Sequence, residues 1–377
     1  MNRPNVVSLF SGAGGLDLGL AASGFDILFE SDIDKPSCVT LEKNGAHASK
    51  HGLDGFGSTV VQCADVNEIS GSEILASIGK KRFEVDLLAG GPPCQAFSIS
   101  GLRRGILDKR GLLVFEYARI LSEIAPKSFV FENVYGLLTI DGGKVFEEVL
   151  VQLETPSDGM KYNIYWQRVN ARDFAVPQSR DRVIIMGIRS DIDVDASALD
   201  LIPITSGDAT TGLMSWRTVK YALQGLPVPV SRKSPLVANH YGRDHGLVVS
   251  ERYGLLAPGE RDSKTRINRL DVERPSYTIV VGSDNGGGKG HVHPFEPREI
   301  TPRESARMQT FPDWWAFSGN VRDAIRQVGN AVPTLLGFAI GNRLREVLFG
   351  LNATPLPVGA QRLGQGHLLE MASVTTH

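Results

Sequence analysis

From Val6 to about Arg189 the chain alternates short apolar runs with amphipathic stretches, and this alternation most constrains what it can fold into. Val6–Phe10, Phe25–Glu30, Thr59–Cys63, Val85–Ala89, Ser128–Glu132, Asn163–Val169 and Arg182–Ile188 read as strands, with helical patterns such as Leu16–Ala22, Lys35–Asn44 and Leu112–Ala125 between them. Strands joined through helices must cross over, so the expectation is an α/β fold whose mostly parallel sheet is covered on both faces. Segment 191–321 reads differently. It is rich in Gly, Pro, Ser and Arg, includes the loop-like run Gly282–Gly290, and is expected to form a smaller, irregular domain. Helical pattern resumes at Pro302–Gln309 and Val332–Phe349. The expected division is therefore a main domain over 1–190 completed by about 322–350, a small domain over 191–321, and a weakly ordered tail over 351–377.

A chain of 377 residues with 42% hydrophobic residues can bury a large core. Three cysteines, Cys38, Cys63 and Cys94, are too few and too unevenly spaced for a disulfide framework or a cysteine-rich metal site, which points to a reducing compartment. Met1–Asn5 leads straight into a strand and no apolar stretch approaches a membrane span, so the cytoplasm is expected and no membrane partner. A net charge of −2 leaves nucleic-acid binding open, because gripping a polyanion takes a basic face and not a basic total.

Four segments carry candidate chemistry. In Val6–Asp17 a strand runs through Phe10 into Ser11-Gly12-Ala13-Gly14-Gly15 and then a helix, whose amino end favours a negative group. A dinucleotide fingerprint needs a third glycine where Asp17 stands, so a nucleoside-type cofactor with a carboxylate fits better than a pyrophosphate. An ordinary tight turn fits the same residues. Past the next strand, Asp32 stands where an acid grips a ribose hydroxyl, Ile33 where an apolar plate meets an adenine, and Asp65, after Cys63, where it accepts from an exocyclic amine. Helix capping is the competing role for any of these acids.

Gly91-Pro92-Pro93-Cys94-Gln95 sets one thiol in a stiff loop at the carboxyl end of a buried strand, the place where open α/β sheets put their chemistry. A buried, inert cysteine is equally compatible with that loop alone. Glu132 ends the apolar run Phe129-Val130-Phe131, where desolvation favours a protonated carboxyl able to donate a proton, or else a structural carboxylate. Arg180 and Arg182 alternate into a strand and so share a face, suited to an anion or a base carbonyl, or to a surface ion-pair cluster.

Taken in order, these segments resemble the cytosine-C5 DNA methyltransferase family. Ile300–Pro312 looks like its ninth motif and Gln327-Val328-Gly329-Asn330-Ala331-Val332-Pro333 its tenth, and the match runs over roughly residues 6–345. The resemblance implies a Rossmann-like S-adenosylmethionine-dependent methyltransferase fold, with 191–321 as a target-recognition domain. It implies that Phe10, Ser11, Gly12, Ala13, Gly14, Gly15, Asp32, Ile33, Asp65, Asn330 and Val332 bind S-adenosylmethionine, and that the last helix returns to the first domain. It further implies Cys94 as nucleophile, Glu132 as the partner of cytosine N3, and Arg182, with Arg180 nearby, positioning cytosine O2. The target base would be flipped out of duplex DNA. The segment Ala96–Arg110, with Ser98, Arg103 and Arg104, would close over it.

Between Ser231 and Arg303 stand 12 Lys/Arg and 9 Asp/Glu, a local net of +3, and Arg243, Arg261, Lys264 and Arg266 are candidate base readers. His240, His245, His291 and His293 lack supporting Cys or carboxylate spacing, so no metal is expected. The expected enzyme is a monomeric DNA (cytosine-5)-methyltransferase of a restriction–modification system, paired in function with a cognate endonuclease that it need not touch. A tRNA-methylating relative and a non-catalytic S-adenosylmethionine sensor or DNA binder are the competing readings.

Overall fold

Seven strands form where the apolar runs stand: β1 (Asn5–Leu9), β2 (Asp26–Asp32), β3 (Val60–Cys63), β4 (Leu87–Gly90), β5 (Ser128–Val134), β6 (Tyr162–Asn170) and β7 (Asp181–Arg189). The structure, a computed structural model, describes residues 3–93, 112–229, 237–242, 245–279 and 290–356. The strands make one sheet in the order β3-β2-β1-β4-β5-β7-β6, with β7 antiparallel to both its neighbours and the other pairs parallel. The chain starts in the middle, builds β2 and β3 to one side, then crosses to build β4 and β5 on the other. The order therefore reverses between β1 and β4, and the crevice outside their carboxyl ends is where such sheets place ligands. Both the glycine loop after β1 and the proline loop after β4 open there.

Helices α1 (Gly15–Ser23), α2 (Lys35–Gly45), α3 (Gly71–Ser77), α4 (Leu112–Ile124) and α5 (Lys144–Glu154) connect these strands. Segment 191–321 adds the two-residue strands β8 (Thr205–Ser206) and β9 (Met214–Ser215), then α6 (Val219–Leu223), α7 (Leu247–Gly254) and α8 (Pro302–Met308). Helices α9 (Val321–Asn330) and α10 (Thr334–Phe349) complete the described chain. Helices α3, α5 and α9 are not anticipated by the strand pattern. Ser70 with Glu73 and Asn320 with Asp323 form capping boxes that start α3 and α9. The last helix begins at Thr334, two residues beyond the expected start at Val332, because Pro333 keeps the residue before it out of helical geometry.

One apolar cluster, with α1, α10 and the ninth-motif residues, covers one sheet face, and a second, with α3, α4 and α5, covers the other. Leu270, Ile279 and Ile300, from the 191–321 segment, lie in the first cluster, so that segment shares the main core. A small separate cluster of Tyr253, Ile267 and Val292 holds the region around α7. The start of the tail is tied to α10, since the Asn342 amide and the Thr354 backbone exchange hydrogen bonds of 2.9 and 3.0 Å.

Helices α1 and α10 meet backbone to backbone. A Cβ at Gly19 would stand 2.3 Å from the Thr334 carbonyl oxygen, and one at Gly341 2.0 Å from Ser23 Oγ. Only glycine permits that approach. Gly19→Ala should therefore cost about 1–3 kcal/mol by overpacking, read as a lowered midpoint in urea unfolding, whereas Gly57→Ala, with open space around its site, should change little. Equal midpoints for the two variants would refute the seam.

Candidate active site

The loop after β1 is held in an unusual shape by its own backbone. Phe10, Gly12 and Gly14 all take positive φ, of 55°, 55° and 76°, and a non-glycine residue in that region marks a locally over-determined site. Ser11 N donates to Ser31 O at 2.9 Å. Asp32 fixes the loop to the β2–α2 turn, its carboxylate accepting from Gly12 N and from Asp34 N, each at 2.8 Å. Burial pushes the Asp32 carboxyl up, against the lowering effect of these amide bonds. Behind the loop, a Cβ at Gly15 would strike the Val332 carbonyl at 2.2 Å, so the tenth motif closes against the helix start.

These residues fit a nucleoside cofactor bearing a carboxylate. Space beside Gly12 is open, with nothing within 4 Å of where a Cβ would stand. Ile33 is 69% exposed at the end of β2, an apolar plate with no protein cover. Asp65 caps a short turn through Oδ1, which accepts from Asn67 N and Nδ2 at 3.0 and 2.6 Å. Its capping role and a ligand role are compatible, because those bonds use one oxygen. Asn330 ends α9 exposed, while Val332 is buried.

Beneath the loop lies a feature that strand and motif patterns do not disclose. Asp17 on α1 and Glu30 on β2 are buried together, and neither Asp17 oxygen nor Glu30 Oε1 receives a well-aimed hydrogen bond from an ordinary donor. The groups facing the pair are the Ser8 and Ser11 hydroxyls. Two carboxylates cannot both be ionised at such a place. Burial, then the neighbouring Asp17, pushes Glu30 well up, so Glu30 holds the proton and donates it to Asp17, itself raised by burial to about 6.

On the β4 side, Glu132 and Arg182 face each other across β5 and β7, with Arg182 Nε 2.7 Å from Glu132 Oε1 and both largely buried. The apolar strand end expected for Glu132 is thus supplied with a cation, because Arg182 pairs with Val134 in register and shares the Glu132 face. The other carboxylate oxygen, Oε2, would lie 3.0 Å from a Cβ at Gly91. Asn133 Nδ2 donates to Pro92 O at 2.9 Å. Glu132 and Asn133 therefore clasp the loop immediately before Cys94; Cys94 itself, with Ser98, Arg103, Arg104 and Arg243, lies outside the described residues.

Arg180 is placed differently from Arg182. It is fully buried, and its Nη atoms donate to Ile279 O at 3.3 Å and to Gly329 O and Ala331 O at 3.0 Å each. Burial, then the Arg182 charge, opposes its own charge. Arg180 braces the tenth motif through its Nη donors, while its buried Nε meets no acceptor among the described residues. Gln178 and Gln309 complete the brace, with Gln178 Nε2 3.0 Å from Gln309 Oε1 and Gln309 Nε2 donating to Val328 O at 2.8 Å. Trp315 Nε1 reaches Ala13 O at 3.0 Å, directly on the glycine loop. Buried Arg303 holds the turn around Trp315 through Pro312 O and Trp315 O at 2.9 and 2.6 Å. Their signal in sequence is polar residues inside an otherwise core-like motif.

Arg261, Lys264 and Arg266 project from one tight turn, pinned by Arg261 Nε to Arg266 O at 2.8 Å and by a positive φ of 64° at Arg266. All three are exposed. The histidines are engaged locally: His240 with Thr301 and Pro227, His291 with Thr278 O, and His293 beside Glu296 and Glu304. Among the described residues no three His, Cys, Asp or Glu side chains group as metal ligands, and no helix is long and apolar enough to cross a membrane.

Residues 4–346 match the family of C-5 cytosine-specific DNA methylases. The chain is 31% identical to the Type II methyltransferase M.XorII of Xanthomonas oryzae, over 92% of this chain and 86% of that protein. It is 35% identical to the Type II methyltransferase M.PspPI of Psychrobacter, over 94% and 81%. A crystal structure described as a DNA modification methyltransferase encoded within an E. coli prophage superposes with a TM-score of 0.73 at 28% identity, covering 92% of this chain and 99% of that one.

The shared proton sets a pH dependence. Because the folded-state values of Asp17 and Glu30 are raised, their stabilising contribution is present in full below the unfolded carboxyl range and is lost as pH rises through about 6 and beyond. Relative to wild type, Asp17→Asn should gain on the order of 1–3 kcal/mol between pH 4 and pH 8, measured by urea unfolding. A stability difference that does not change with pH would contradict the shared proton.

Proposed function

This chain belongs to the C-5 cytosine-specific DNA methylase family, and on that premise we propose that it methylates C5 of a flipped-out cytosine in a specific sequence of double-stranded DNA through a covalent Cys94–C6 intermediate. The observation that carries the proposal is the Glu132–Arg182 pair, closed over Gly91 at the reversal point of the sheet, with the Gly12–Asp32–Ile33 cradle on the neighbouring strands. Residues 1–190 with about 322–350 form the catalytic and cofactor-binding part, and 191–321 the target-recognition part. S-adenosylmethionine, when bound, supplies an electrophilic methyl group. Ile33 covers the adenine, Asp32 accepts from the ribose, Asp65 accepts from the exocyclic amine, and the α1 amino end takes the carboxylate.

Carbon 5 of cytosine is a poor nucleophile until a thiolate adds to carbon 6. Cys94 makes that bond, and the Glu132 carboxyl donates its proton to N3, neutralising the negative charge that the addition pushes into the ring. Arg182 holds Glu132 in place and reaches cytosine O2. After C5 gains its methyl group, water takes the C5 proton, the double bond re-forms, the Cys94 thiolate leaves, and N3 returns its proton to Glu132. Two successive prolines, Pro92 and Pro93, with Asn133 on the Pro92 carbonyl, stiffen the approach to Cys94. The exposed Arg261, Lys264 and Arg266 turn faces phosphate or base edges. The chain acts as a monomer and protects its sites from a cognate restriction endonuclease.

Cys94→Ala should abolish methyl transfer into duplex DNA while retaining S-adenosylmethionine binding by calorimetry; residual turnover, or methyl incorporation into tRNA in place of DNA, would overturn the proposal. Glu132→Gln should lower kcat by roughly 10²–10⁴-fold with little change in cofactor affinity. An equal loss in cofactor affinity would remove Glu132 from the base side of the site.

A further inference from the structure

Behind the Asp32–Ile33 turn, two thiols face the carbonyl oxygens of adjacent residues. Cys38, on α2 and 2% exposed, contacts the Asp32 carbonyl oxygen through Sγ at 3.2 Å. Cys63 ends β3 directly opposite Asp32 in the parallel register, is exposed, and has Sγ 4.0 Å from the Ile33 carbonyl oxygen. Burial, and after it the neighbouring Cys63, push the Cys38 thiol well up. Neither thiol is used by the methyl-transfer chemistry.

We propose that Cys38 and Cys63 form a peroxide-sensitive dithiol whose oxidation to a disulfide weakens cofactor binding. The second half of this inference rests on the assignment of Asp32 and Ile33 to the ribose and adenine; the first half does not. Exposed Cys63 meets the oxidant first. Its sulfur attacks one peroxide oxygen, giving a sulfenic acid and water, and the sulfur of Cys38 then attacks Cys63, forming the S–S bond and releasing the second water. Both sulfurs are oxidised and the peroxide is reduced. A transient bond of this kind is the form that disulfides take in reducing compartments.

Oxidation removes the thiol hydrogens that face the Asp32 and Ile33 carbonyls and ties the first turns of α2 to the end of β3. Asp32 also holds Gly12 N, so a shift of the turn passes into the glycine loop. The bond thus acts on both ends of the cradle without touching Cys94.

The test uses the full chain treated with hydrogen peroxide, alkylated without reduction, digested and mapped by mass spectrometry. A peptide linking Cys38 to Cys63 is expected. Calorimetric S-adenosylmethionine binding should weaken roughly three- to tenfold, the scale of one lost hydrogen bond, recover with dithiothreitol, and be insensitive to peroxide in Cys63→Ser. Cys63 recovered as a sulfinic acid, or linked to Cys94, overturns the pairing. A linked peptide with unchanged affinity overturns the switch. Reduced wild-type protein that binds no S-adenosylmethionine overturns the cofactor assignment instead, and leaves the linked peptide as the separate reading of the pairing.

Discussion

The closeness of α10 to α1 is the constraint on which the rest of the site depends. Gly15 and Gly19 on one helix, with Gly337 and Gly341 on the other, let carbonyl oxygens and Cα atoms touch where side chains would normally stand. Main-chain contact brings the Val332 carbonyl against the start of α1, and α1 begins at the glycine loop. Arg180, Gln178 and Gln309 then lock Val328, Gly329 and Ala331 from the opposite side. Sequence-distant segments become one wall because these buried side chains bond to backbone carbonyls and to one another. Loosening the seam would move the tenth motif, the Trp315 bond to Ala13 and the glycine loop together.

Charge is arranged differently on the two sides of the β1–β4 crevice. On the β1–β2 side, Asp17 and Glu30 are stacked below the glycine loop with no cation facing them among the described residues, and a shared proton makes their burial tolerable. On the β4–β5 side, Glu132 is matched by Arg182. The first arrangement responds to pH near neutrality. The second holds its carboxyl group in a fixed place, with the guanidinium as its brace and the Gly91 backbone at its other oxygen.

The sheet was readable from the chain because its inner strands β1, β4, β5 and β7 are buried on both faces, and such strands write themselves as continuous apolar runs; all seven strands formed within two residues of their expected ends. The placement of the candidate site residues was readable at strand ends, with Asp32 and Gly12 brought together there and Glu132 at the end of an apolar strand. Arg180 shows the limit. Alternation places Arg180 and Arg182 on one face, but only the fold reveals that Arg180 is consumed by carbonyls from residues about a hundred or more positions away. The pairing of Asp17 with Glu30 was hidden for the same reason, since it joins a helix to a strand across the core. Helix α9, with few apolar residues, owes its position to its cap and to Gln327 and Arg326 reaching Thr40 and Asp34, contacts that have no local signature.

The central claim is that the loop clasped by Glu132 and Asn133 delivers a thiol to a cytosine ring. The most direct measurement is mass spectrometry of the protein incubated with S-adenosylmethionine and duplexes carrying 5-fluorocytosine at the methylated position. Fluorine at C5 cannot depart as the proton does, so the account predicts a stable protein–DNA adduct that maps to Cys94, carries the transferred methyl group and is absent in Cys94→Ala. Normal consumption of cofactor on the unmodified duplex, with no adduct on the fluorinated one, would contradict it.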